Sequence, residues 1–176
     1  LCLVPVAALA LVWQWTSLPA MPPQVRNPGP GTVFRLLKSC FITLGMVACG
    51  TFFMGQFALF TYVRPFLETV TQVNVSTLSL ILLATGVTGV IGTILIGPAL
   101  KRSLYGTLAV IPVLMAVIAL GLLPLGASTG AVLVLLGCWG LLATSAPVGW
   151  WSWIARAMPH HAEAGGGLMV AVIQLS

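Results

Sequence analysis

The chain has 176 residues, 59% hydrophobic and only 5% charged, with a formal net charge of +5. A water-soluble domain carries roughly a quarter of its residues as Asp, Glu, Lys and Arg; seven basic and two acidic residues exclude a water-facing surface over most of this molecule. The seven cations form no stripe, which excludes a nucleic-acid face, and a mean hydropathy of +1.11 makes lipid the main surroundings.

About 20 apolar residues cross a bilayer as helix. Runs of that kind predict spans near 1–18, 40–63, 77–99, 104–124 and 130–154, with a sixth starting near Ala164. The runs are too long for barrel strands and do not alternate in polarity, so the fold class is an all-α polytopic membrane protein. Leu1 in place of Met, and an apolar run still in progress at Ser176, read as a chain cut at both ends. The expected organisation is the end of a front-half helix at 1–18, a central linker at 19–39, and an incomplete back-half bundle at 40–176.

The linker contains Pro19, Pro22, Pro23, Pro28 and Pro30 with Arg26, Arg35 and Lys38, and Thr32 to Lys38 suits a short amphipathic surface helix. If 19–39 is cytoplasmic, alternate crossings place 100–103 and 155–163 there too. Arg26, Arg35, Lys38, Lys101, Arg102 and Arg156 then share that side with His160 and His161, and Arg64 alone falls outside. The reverse orientation breaks the positive-inside rule at every loop.

In the second span Cys49, Phe53, Gln56, Phe60 and Arg64 recur at three- or four-residue steps and share a helix face. A lone amide in lipid is costly, so Gln56 faces other helices or a wet cavity. Two roles are open: bonding a neighbouring helix, or reading the edge of a flat heteroaromatic solute stacked on Phe53 and Phe60. Arg64, beside the helix-ending Pro65, suits an interfacial pair with Glu68 or a gate.

The third span carries a small-residue track, Gly89-xxx-Thr93-xxx-Gly97, for close helix contact, and Thr85 and Thr88 suit packing or a cavity lining. The fourth, 104–124, is almost wholly aliphatic beyond Tyr105 and Thr107, which predicts a lipid-facing peripheral helix. In the fifth, Pro147 removes a backbone donor and kinks the helix. Trp150, Trp151 and Trp153 next to Arg156 read either as an interfacial belt or as a binding box, with Trp150 deepest. Glu163 caps the final helix start, and Gln174 is a second buried-amide candidate.

Catalytic patterns are missing. His160-His161-Ala162-Glu163 lacks the HExxH order, and no P-loop, GxSxG or GxGxxG occurs. Cys2, Cys40, Cys49 and Cys138 lie in or beside apolar runs without CxxC spacing. The chain is read as a non-enzyme with no cofactor and no metal site.

Two blocks carry a resemblance: GQFALFTYVRP (Gly55 to Pro65) and APVGWWSWIARAMPHHAEAGGGLMVAVIQLS (Ala146 to Ser176). They resemble the purine ribonucleoside efflux pumps of the drug/proton antiporter group, in the major facilitator superfamily. The resemblance runs from about Thr32 onward and implies the sixth to eleventh of twelve helices. It also implies exchange of purine ribonucleosides and analogues for protons across the bacterial inner membrane, by a protein that is monomeric at full length. Gly97 to Ser103 resembles that superfamily's cytoplasmic loop motif, with Lys101 where the motif usually has Asp; Lys101 and Arg102 are gating or structural candidates. The substrate set this reading proposes is Phe53, Gln56, Phe60, Trp150 and Gln174. Export of sugars or drugs is the nearest alternative, and a non-transporting membrane receptor or assembly subunit is the alternative of another class.

Overall fold

The computed structural model describes residues 3–17 and 31–176; the linker residues 18–30, including Arg26, lie outside the described set. The described elements are helices: α1 (Leu3–Ser17), α2 (Gly31–Leu37), α3 (Cys40–Thr69), α4 (Val75–Arg102), α5 (Leu104–Leu125), α6 (Thr129–Ala157) and α7 (Ala162–Gln174). The all-α polytopic class is what the apolar runs predict. Four of the helices, α3 to α6, are long and apolar enough to cross a membrane. At 1.5 Å rise per residue the longest reaches about 45 Å, more than the ~30 Å hydrocarbon core, so its ends extend into the headgroup layers.

Local chemistry sets the tight turns. Between α4 and α5 stands Ser103 alone: its N–H donates to Ala99 O (3.0 Å), and its Oγ accepts from Gly106 N (3.1 Å). One residue thus caps two helices. Between α3 and α4 the backbone turns through Gln72 at φ 55°, and Asn74 Oδ1 accepts from Thr77 N (2.8 Å) to start α4. These short reversals make consecutive helices from α3 to α6 run antiparallel, so that α4 and α6 lie parallel, and bring Lys38, Lys101, Arg102 and Arg156 to one end of the bundle.

One helix boundary corrects the sequence reading. Pro65 does not end α3, which continues to Thr69. The extension is held by Val63 and Leu67, buried in a cluster with Leu78, Ile81, Leu122, Val132 and Leu136, and Thr69 Oγ1 donates to Pro65 O (2.7 Å). Pro147 sits inside α6, as the span at 130–154 predicts. The short helix expected at Thr32 to Lys38 is present as α2. It docks on α3 and α7, with Leu36 buried in the main core.

The α4–α6 seam explains the small residues. Thr88 Oγ1 donates to Gly137 O (2.7 Å) and Thr144 Oγ1 to Gly89 O (2.7 Å), so hydroxyls tie one backbone to the other. Close approach needs the absence of side chains at Gly89, Gly92 and Gly140. Gly97, also on the expected track, faces open space. Thr85 and Thr88 therefore pack the seam.

The fourth span is only half peripheral. Val110, Val113, Val117 and Leu120 of α5 are exposed, but Leu104, Ile111, Met115 and Ile118 are buried against its neighbours. An aliphatic sequence without polar residues gives no signal of which side faces protein. The Trp group also divides: Trp150 and Trp153 are buried and Trp151 is exposed, because positions three apart share a helix face and the one between does not.

Arg64 Nε donates to Glu68 Oε1 at 2.9 Å, with the two side chains 72% and 47% exposed. An exposed i,i+4 pair contributes little. Arg64→Ala is accordingly expected to leave the thermal unfolding midpoint in detergent unchanged, and a clear drop would assign Arg64 a contact beyond Glu68.

Candidate functional site

The largest described cavity, about 620 Å³, lies between α3, α5 and α6. Its wall from α3 includes Thr51, Phe52 and Gln56; α5 adds Pro112 and Met115, and α6 adds Trp139 and Trp150. That volume falls within the range of small-ligand pockets, ~300–1,000 Å³, and a mostly apolar wall with a few polar groups is the usual make-up. A second cavity of about 260 Å³ lies toward the basic end of the bundle, and Trp150 lines both.

Gln56 is the polar centre. Its Nε2 donates to Ala143 O across the α3–α6 contact at 3.4 Å, while its Oε1 is buried without a partner. The orientation is fixed by chemistry, since a flipped amide would aim one carbonyl oxygen at another. Ala143 is four residues before Pro147. In a regular helix the N–H at 147 would bond that carbonyl, and proline has none. Gln56 thus supplies the donor that Pro147 withholds, and the two residues, ninety-one positions apart in the chain, act on one carbonyl.

The aromatic side chains form a continuous ladder. Ring centroids run Phe41–Trp153 6.1 Å, Trp153–Trp150 6.0 Å, Trp150–Phe52 6.3 Å, Phe52–Phe53 5.3 Å and Phe53–Phe57 5.9 Å. These separations are in the range of favourable aromatic pairs. Trp150 and Phe52 line the cavity together with Gln56.

The structure brings together two of the five expected substrate residues, Gln56 and Trp150. Phe53 is buried behind Phe52. Phe60 is 66% exposed on α3. Gln174 is exposed on α7; Val172 and Ser176 face α3, and a residue between them points away. Phe52 and Trp139 were not singled out in the sequence. Phe52 lies four residues before Gln56 and Trp139 four before Ala143, so helical spacing from the amide and its acceptor finds both. Lys101 and Arg102 end α4 and are exposed, as is Glu163 in the first turn of α7. Among the described residues no three His, Cys, Asp or Glu side chains gather where they would hold a metal ion.

With this geometry in place, the comparisons with known proteins bear on what the cavity serves. The chain is 40% identical over 172 residues to the purine ribonucleoside efflux pump NepI of Escherichia coli K12, covering 96% of this chain and 42% of that protein. The NepI pump of Salmonella enteritidis gives 38% over 168 residues, with the same coverage. The transcription regulatory protein OpdE of Pseudomonas aeruginosa is 62% identical over 179 residues, covering 100% of this chain and 44% of OpdE. The likeness is to efflux pumps along nearly the whole chain. The chain spans less than half the length of these relatives. No family description matches it, and no solved structure does.

Proposed function

We propose that the full-length protein exports purine ribonucleosides and their analogues across the bacterial inner membrane in exchange for protons, as a member of the drug/proton antiporter group of the major facilitator superfamily. The observation that carries this reading is the 38–40% identity to pumps named for that solute, sustained over 96% of the chain. The cavity is consistent with it. A purine is flat and carries donors and acceptors on its edge; Trp150 and Phe52 offer stacking faces, and Gln56 offers the only amide in the wall. Phe60 and Gln174, exposed on α3 and α7, remain proposed contacts for a cavity shared with the rest of the protein.

No carboxylate stands in the middle of a described span, so proton coupling is assigned to a residue outside this chain. The end of the bundle carrying Lys38, Lys101, Arg102 and Arg156 is assigned to the cytoplasm, with Arg64 outside.

A second reading is favoured by the 62% identity to a protein named as a transcription regulator: a membrane-embedded regulator or receptor that moves no solute. Direct contact with DNA does not fit a chain whose long helices expose rows of Val, Leu and Ile. Labelled inosine in inverted vesicles separates the two readings. Uptake that requires an imposed proton gradient and collapses with an uncoupler is the expected result; no uptake into vesicles holding folded protein favours the regulator.

A further inference from the structure

Helices α3 and α6 share one apolar core, with Met46, Cys49 and Phe53 of α3 beside Ala143, Trp150 and Trp153 of α6. Helix α6 is bound tightly to α4 through the hydroxyl and glycine seam and to α5 through its apolar face. Helix α3 packs chiefly on α7 and α2. The cavity lies between α3, α5 and α6.

Among the described residues one side-chain hydrogen bond joins α3 to α6, from Gln56 to Ala143 O. At 3.4 Å it is longer than the usual 2.7–3.2 Å for N–H···O. Its acceptor exists only because Pro147 leaves that carbonyl without a donor. The same amide lines the cavity and keeps Oε1 unpaired.

We propose that Gln56 and Pro147 form a polar latch between α3 and α6 that a solute in the cavity releases. The latch stands on the hydrogen bond and on Pro147; its opening by a purine nucleoside rests on the functional reading above. A planar solute edge with a donor beside an acceptor pairs with both ends of an amide at once. Pairing that way needs Oε1 and Nε2 to face the same solute, which turns Nε2 from Ala143 and leaves the α3–α6 contact to apolar and aromatic packing alone. In this scheme Gln56 senses the solute, and Pro147 sets the resting position.

Ala146 provides the readout. It lies on the α6 stripe between Ala143 and Trp150 and is 1% exposed. The test measures maleimide labelling of Ala146→Cys in the full-length, membrane-embedded protein with its native cysteines replaced. Gln56→Met keeps the side-chain volume and removes the amide; it is expected to speed labelling about threefold, the scale of an average interhelical side-chain hydrogen bond in a membrane. In a Pro147→Ala background the residue 147 N–H occupies the Ala143 carbonyl, and Gln56→Met is expected to add nothing. Equal labelling with and without the amide, or the same rise in both backgrounds, overturns the latch. Saturating inosine is expected to bring the native Gln56 protein to the Gln56→Met rate. If vesicles accumulate inosine while the nucleoside leaves labelling unchanged, release by solute is wrong and export stands. If neither responds, release by solute falls together with the export reading.

Discussion

Alanine at Gly92 or Gly140 is expected to be the most damaging single-methyl change in the bundle. A Cβ at Gly92 would overlap the backbone carbonyl of Leu141, and one at Gly140 would overlap that of Thr85. Main chain cannot rotate aside as a flexible side chain does, so the helices must part. Parting them lengthens the bonds from Thr88 to Gly137 O and from Thr144 to Gly89 O, 2.7 Å each. Overpacking of this kind costs about 1–3 kcal/mol and more where the obstacle is rigid. In lipid the apolar surface gains nothing by leaving its neighbour, so close packing and these bonds are most of what holds α4 to α6. Gly97→Ala and Gly86→Ala, where a Cβ meets nothing within 4 Å, serve as controls and should unfold like the native protein. The measurement is denaturant unfolding in detergent, followed by helix signal. If Gly92→Ala unfolds with the controls, α4 and α6 do not approach as described.

The sequence signals that worked are those set by the solvent. Nine charged residues in 176 leave only lipid as the surroundings of most of the surface, and run length then marks α3 to α6 within a few residues. Boundaries failed where packing overrode a local breaker. Pro65 has the signal of a helix end, but the buried Leu67 carries α3 one turn further. Orientation around the helix axis was less legible. In a soluble helix polarity marks the outer face, whereas here Val110 faces outward and Ile111 inward with the same hydropathy. The site was legible where a residue is costly in lipid: Gln56 stands out by chemistry alone. Its acceptor was not legible. Pro147 announces a free carbonyl at Ala143, but which helix answers it is a fact of the fold. Phe60 and Gln174 share a plausible spacing with the site, but lie exposed on α3 and α7 rather than in the wall of this cavity.

Trp150→Ala is expected to lower nucleoside export about tenfold with a smaller loss of stability. Trp150 is 7% exposed, pairs with Phe52 at 6.3 Å and Trp153 at 6.0 Å, and lines both the 620 Å³ cavity and the 260 Å³ one. In a water-soluble core, Trp→Ala costs about 3–5 kcal/mol, much of it transfer of the ring from water. That contribution largely disappears when the unfolded helices remain in lipid, leaving lost packing and the ring pairs at about 0.5–1.5 kcal/mol each. The solute loses more. Stacking of a base on an aromatic ring is worth about 1–3 kcal/mol, and 1.4 kcal/mol is tenfold in binding. Trp150→Phe keeps a stacking face, so it should restore export to within about threefold of native. The readouts are inosine uptake in inverted vesicles beside detergent unfolding of the same variants. Uptake by Trp150→Ala at the native rate would remove Trp150 from the site. An unfolded Trp150→Ala together with a stable Trp150→Phe that does not transport would give the ring a packing role and leave the indole nitrogen as the group the solute needs.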